Sequence, residues 1–168
     1  MSYKIENCPA WRMTQDTFIG PAMILPVFEI DGRRDESFEL VWEFAEDESC
    51  LGPSVWTGMG YTISRLIDFE PEGTFVLFDH RKHACGFYMG GSCWIDPKHR
   101  AKGLSKHLIL AACRFLGGCP SQNTEGLGYS QEGYEAHVRA HRYAVEMAFK
   151  AGLPVSREIL NEYDLLDW

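Results

Sequence analysis

Ile95-Asp96-Pro97-Lys98-His99-Arg100-Ala101-Lys102-Gly103-Leu104-Ser105, running on into Lys106-His107-Leu108-Ile109-Leu110-Ala111-Ala112, is the stretch that decides how this chain is read. Before it, apolar and aromatic residues broken by glycines, from Cys85 to Ile95, predict paired strands. After it, Leu104, Leu108, Ala111, Ala112 and Phe115 recur at helical spacing. Between the two lies a short basic turn with Arg100, Lys102 and one glycine, Gly103. Where a strand ends in such a turn and a helix begins, free backbone N–H groups and the positive end of the helix dipole point the same way. That geometry suits a phosphate or pyrophosphate, and it also suits an ordinary strand-to-helix connection.

The wording of the stretch adds to its geometry. Ile-Asp-Pro-x-x-Arg-x-Lys-Gly-Leu-Ser resembles the acyl-CoA-binding motif of the GNAT superfamily of N-acyltransferases. In that family the pattern is apolar-Asp-Pro-x-x-Arg/Gln-x-x-Gly-x-Gly/Ala, between the fourth strand and the third helix. Arg100 and Gly103 stand at the matching positions, and Ser105 replaces the usual final Gly or Ala. The resemblance implies that Arg100, Ala101, Lys102, Gly103, Leu104 and Ser105 hold the pyrophosphate of acetyl-CoA or another acyl-CoA. It also implies that Trp94 and Ile95, on the preceding strand, pair through their backbone with the pantetheine arm.

Outward from the turn, the order of elements is similar to that of the family. Residues 1–22 predict an irregular leader, and Met23 to Ile30 a first strand that Pro26 confines to an edge or a bulge. Asp35 to Glu46 predicts a helix, with Phe38, Val41, Trp42 and Ala45 on one face and acidic residues on the other. Ser54 to Ile67 predicts a second helix, from Val55, Met59, Ile63, Leu66 and Ile67, weakened by Gly58 and Gly60. Thr74–Phe78 and Ala84–Met89 predict a hairpin, and Gly90-Gly91 reverses the chain into Ser92–Ile95. Strand, two helices, three meandering strands, cradle and helix is the order of a GNAT domain. The expectation is therefore an α/β fold, with a central mixed, mostly antiparallel sheet and flanking helices, as one domain over residues 1–168.

Downstream the pattern departs from the family. Residues 117–128 are polar and Gly-rich and predict a loop where the family has a fifth strand. Tyr129 to about Ala151 predicts a long helix, with Ala136, Ala140, Tyr143, Ala144, Met147, Ala148 and Ala151 in one stripe, stopped by Gly152 and Pro154. Ser156 predicts the cap of a short helix through Leu160. Residues 129–168 thus form a helical part diverged from the family, and Ala148 stands where the family often places a Tyr acid.

A net charge of −8 and a pI near 5.2 argue against broad nucleic-acid or anionic-membrane binding and suit an amine-bearing substrate. No apolar run reaches the length of a membrane span, and residues 1–6 lack the plan of a signal peptide. With six scattered cysteines and no CxxC pair, the expectation is a cytoplasmic protein with reduced thiols, with a homodimer among its partners. His80-x-x-His83-x-Cys85 and His137-x-x-x-His141 have metal-like spacing but lack further ligands. Turn polarity and a solvated helix face account for them without a metal. Cys93, between Ser and Trp on a strand, reads as core rather than as a nucleophile.

The resemblance implies transfer of an acyl group, acetyl first of all, from CoA to a primary amine of a small molecule, peptide or modified base. That chemistry needs an acid for the departing thiolate and a way to deprotonate the amine. Tyr143, with Tyr129 and Tyr134 as neighbours, is the candidate acid. Glu43, His141 or a water relay is the candidate base. The alternative is a GNAT-like domain that binds or inhibits without catalysing.

Overall fold

The computed structural model describes residues 5–20, 39–121 and 129–166. The expected first strand, Met23 to Ile30, lies outside these residues, as do residues 35–38 at the start of the expected first helix.

The leader is more regular than its sequence suggests. Two 3-10 turns lead into α1 (Gln15–Ile19), whose first turn is capped by the Thr14 side chain. Trp11, Phe18 and Ile19 from this segment are buried. Next come α2 (Glu39–Glu46) and the strands β1 (Leu51–Gly58), β2 (Tyr61–Leu66), β3 (Phe75–Phe78), β4 (Ala84–Met89) and β5 (Ser92–Ile95). The five strands form one sheet in chain order, each antiparallel to the next. The helices α3 (Ser105–Leu116), α4 (Gln131–Lys150) and α5 (Arg157–Asn161) complete the described chain. The fold is α/β, as expected, and all described pairings are antiparallel.

The second expected helix does not exist: Ser54 to Ile67 is most of the β1–β2 hairpin. Its apolar residues fit a four-residue spacing, but Gly58 pairs with Tyr61 across a two-residue loop. Both loop residues, Met59 and Gly60, have positive φ (53° and 79°), the pattern of a type I′ turn. Gly60 supplies that conformation without strain, and the β-branched and aromatic residues around it favour strands. Alternation then decides burial along β2. Tyr61 and Ile63 face the α3 side, while Leu66 faces α2.

The sheet is covered on both faces. Phe75 and Leu77 of β3 pack with Leu108, Ile109 and Ala112 of α3 and Ala140 and Ala144 of α4. Val76 and Phe78, pointing the other way, pack with Val41, Trp42 and Ala45 of α2. A third cluster joins Trp11 to Val145 and Ala148 of α4 and to Ile159, Leu160 and Leu165. The starts of α4 and α5 are capped by Ser130 and Ser156, whose hydroxyls accept from Gly133 and Ile159 N–H groups. Among the described residues no helix is long and apolar enough to cross a membrane.

The buried stripe of α4 differs from its sequence reading. Ala136, Ala140, Ala144 and Ala148 are buried as expected, but Met147 is 37% exposed, and His137 and His141 are wholly enclosed. They are not a solvated helix face. Each has polar partners that take both ring nitrogens. His137 donates from Nδ1 to the Gly133 carbonyl (2.7 Å) and accepts at Nε2 from the Tyr88 hydroxyl (2.8 Å). His141 donates from Nε2 to the carbonyls of Met13 (2.8 Å) and Ala10 (3.1 Å) and accepts at Nδ1 from the Tyr163 hydroxyl (2.6 Å). Among the described residues no group of three or more His, Cys, Asp or Glu could hold a metal ion.

Both α4 imidazoles are therefore held neutral, and burial lowers their proton affinity, to about 4 for His137. An unfolded chain takes up these protons near pH 6.5, whereas folded His137 does so only near pH 4. Between those values the unfolded state binds more protons, so stability is full above about pH 6.5 and is lost as pH falls toward about 4. The melting temperature is expected to fall through this window, and His137→Gln should flatten the fall. A melting temperature independent of pH over that range would contradict the neutral assignment.

Candidate functional site

The connection from β5 to α3 is built from short-range bonds. The Asp96 N–H donates to the Cys85 carbonyl of β4 (2.9 Å), which continues the sheet one residue past Ile95. The Asp96 carboxylate accepts from the Lys98 N–H (2.9 Å) and caps the 3-10 turn Pro97–His99. The Arg100 side chain then folds back, with Nε donating to the Ile95 carbonyl (2.7 Å).

The next four residues reverse the chain. Ala101 (φ 60°) and Gly103 (φ 68°) are both left-handed, and Leu104 is buried at the mouth of α3. A Cβ at Gly103 would touch only the flexible end of Lys106, at 3.5 Å, so conformation rather than space is what favours glycine here. Leu104, which follows Gly103, is right-handed and leads into α3. The Leu104 cap position contributes no side-chain bond to α3. The amides from Ala101 to Lys106 donate to no acceptor among the described residues. Six successive amides, at the start of a helix of 12 residues, are thus without an acceptor among the described residues.

Cations and aromatic rings surround these amides. The Lys102 ammonium donates to the Tyr61 hydroxyl (2.7 Å) and lies 5.3 Å from its ring centre. With that oxygen accepting from the ammonium, the Tyr61 O–H donates to His99 Nδ1 (2.9 Å), which leaves the imidazole proton on Nε2. Lys106 lies over the Tyr143 ring at 4.1 Å. His107 stacks on Trp56 at 4.2 Å and meets the edge of Tyr143 at 5.7 Å. Burial, and next the Lys106 charge, lower the His107 pKa to about 4, so this ring is neutral.

The structure gathers the expected cofactor-binding residues into one place, from Ile95 through Arg100, Ala101, Lys102, Gly103, Leu104 and Ser105. Trp94 precedes them on β5, where the expected contact is through its backbone. Its side chain lies on the α2 face, 5.5 Å edge-on from Trp42. Tyr143 stands beside Lys106, half-buried, and its hydroxyl makes no hydrogen bond among the described residues. Glu43 is exposed on α2, across the sheet from α3, so it does not meet the turn. His141 is enclosed against the leader with both nitrogens engaged and is not presented to the turn. Tyr129 is buried and donates to the Ile19 carbonyl (3.0 Å). Burial pushes the Cys93 thiol up to about 12, so it is protonated at neutral pH.

Tyr61, His99, Lys106 and Trp56 belong to this cluster and were not singled out from sequence. His99 and Lys106 lie within the quoted stretch and could have been found by its basic character. Tyr61 and Trp56 reach it only because residues 54–67 are strands, and no local signal joined them to a turn some forty residues away. No family model, no curated protein and no solved structure matches the chain.

Ala101 is the one non-glycine in the cradle with positive φ, a conformation costing an L-residue about 1–2 kcal/mol. Ala101→Gly removes that cost but adds freedom to the unfolded chain, worth about 0.5–1 kcal/mol. A net gain of about 0.5–1 kcal/mol in stability is expected from chemical denaturation. A loss of stability in Ala101→Gly would contradict the left-handed assignment.

Proposed function

We propose that the β5–α3 turn binds the pyrophosphate of an acyl-CoA and that the protein is a GNAT-like N-acyltransferase acting on a primary amine. The observation that carries this is the run of unbonded amides from Ala101 to Lys106, ringed by Arg100, Lys102 and Lys106. Backbone donors and three cations fit a doubly charged pyrophosphate, and they fit few neutral ligands. An acyl-CoA supplies an activated acyl group as a thioester, which an amine can displace with release of the thiol.

In this reading each residue has a limited task. The open amides and Lys102 and Lys106 hold the phosphates, and Tyr61 fixes the direction of Lys102. The Arg100 side chain must leave the Ile95 carbonyl for that carbonyl to pair with an extended pantetheine arm. Arg100 is exposed, and its guanidinium is then free to reach a phosphate. Tyr143, with its uncommitted hydroxyl beside Lys106, gives a proton to the departing sulfur. Removal of the amine proton falls to water, because Glu43 and His141 do not reach the turn. That same fact favours a second reading, a GNAT-like module that binds acyl-CoA without turning it over.

Acetyl-CoA at about 100 times its dissociation constant is expected to raise the melting temperature by about 5–10 °C. Arg100→Glu and Gly103→Glu should each abolish the rise, whereas Ser105→Gly should keep it. No rise with acetyl-CoA or longer acyl-CoAs would end both readings. A rise with no thiol release, over a panel of primary amines, would select the binding module.

A further inference from the structure

The face of the sheet turned away from the cradle carries a groove of about 620 Å³, within the size range of small-molecule sites. Its floor is β2, where Thr62 and Ser64 point outward from the sheet toward α2, and its walls are Trp42 and Phe78. Ser64 is buried as a residue and lines the groove beside Thr62. The two hydroxyls give the floor of the groove groups that can both donate and accept hydrogen bonds.

The charges at the two ends of the groove are opposite. One end, where α2 passes into β1, carries Glu46 and Glu48. The other, at the β3–β4 turn, carries Lys82 and His83. Register separates them: β1 begins opposite Leu66 of β2, whereas β3 ends opposite Thr62. Both ends are held in place from below. Asp47 accepts from the Ser49 N–H (2.9 Å) and hydroxyl (2.7 Å), and Asp79 accepts from the N–H groups of Arg81 (2.8 Å) and His83 (2.9 Å). Glu46, Glu48 and Lys82 form no ion pair among the described residues, while His83 lies 3.8 Å from Asp79.

We propose that this groove binds a short zwitterionic peptide or peptide-like molecule. Its ammonium group lies at Glu46 and Glu48 and its carboxylate at Lys82 and His83, with an apolar body between Trp42 and Phe78. The Ser64 and Thr62 hydroxyls bond its amide groups. A cation alone would leave Lys82 unanswered, and an anion alone would leave two carboxylates facing it. The two carboxylates and Lys82 together select a molecule carrying both charges, and the His83 imidazole adds a hydrogen-bonding group at the carboxylate end. The site stands apart from the acyl-CoA reading, because the sheet lies between them.

Calorimetric titration of the full chain with glycyl-phenylalanine tests it, beside the same dipeptide as its amide and with an acetylated N-terminus. The free dipeptide is expected to bind, and each blocked form to bind about tenfold more weakly. Glu48→Gln and Lys82→Gln, both at exposed positions, should each weaken the free dipeptide by a similar factor, and Ser64→Ala should weaken all three ligands. Acetyl-CoA should raise the melting temperature of Glu48→Gln and Lys82→Gln as it does that of the parent chain, so the two sites fail separately. No heat with millimolar glycyl-phenylalanine would overturn the proposal. So would equal binding of the blocked forms, or binding unchanged in both charge variants.

Discussion

The burial of Leu104 is the constraint on which the candidate site depends. Leu104 is only 1% exposed, while Gly103 before it is exposed and Ser105 after it half-buried. Fully burying a leucine stabilises the fold by about 1.5–3 kcal/mol. That gain offsets a left-handed Ala101, which costs roughly 1–2 kcal/mol. With Leu104 drawn into the core and β5 fixed to β4, the chain between them must reverse in very few residues. The reversal leaves its amides without an acceptor among the described residues, and no side chain caps them.

The same core links the turn to distant parts of the chain. Leu104 and Leu108 sit in one cluster with Tyr61, Phe75 and Tyr88 of the sheet and with Ala140 and Ala144 of α4. Tyr61 then emerges beside Lys102, and Tyr143 beside Lys106. The hairpin and the long helix thus each bring one phenol to the cradle. The enclosed histidines of α4 do a different job. His137 ties α4 to β4 through Tyr88, and His141 ties it to the leader and to Tyr163.

What could be read from sequence was what local chemistry decides. The strands at residues 75–95 follow from alternation and glycine reversals, and α3 follows from the spacing of Leu104, Leu108, Ala111 and Ala112. The cap at Ser156 fell where a hydroxyl precedes a helical pattern, whereas the cap at Ser130 lies one residue inside the helix expected from Tyr129. The β1–β2 hairpin escaped because Val55, Met59, Ile63 and Leu66 also satisfy a helical spacing. The Met59-Gly60 turn was the signal that outweighed it. At the site, the backbone cradle was legible because its residues are contiguous. Glu43 was misplaced because facing a substrate depends on which sheet face a helix covers, which a sequence does not state. His141 was misplaced because a histidine on a helix looks alike whether solvated or enclosed by carbonyls and a tyrosine.

The acyl-CoA reading therefore rests on backbone geometry more than on side-chain chemistry, and backbone amides can be observed one by one. Titration of ¹⁵N-labelled protein with acetyl-CoA, followed by amide resonances, tests this most directly. The account predicts that Lys102, Gly103, Leu104, Ser105 and Lys106 shift first and furthest, with Ile95 following as the pantetheine arm pairs with β5. Saturable binding that leaves these five amides unmoved, or no binding at all, would contradict it.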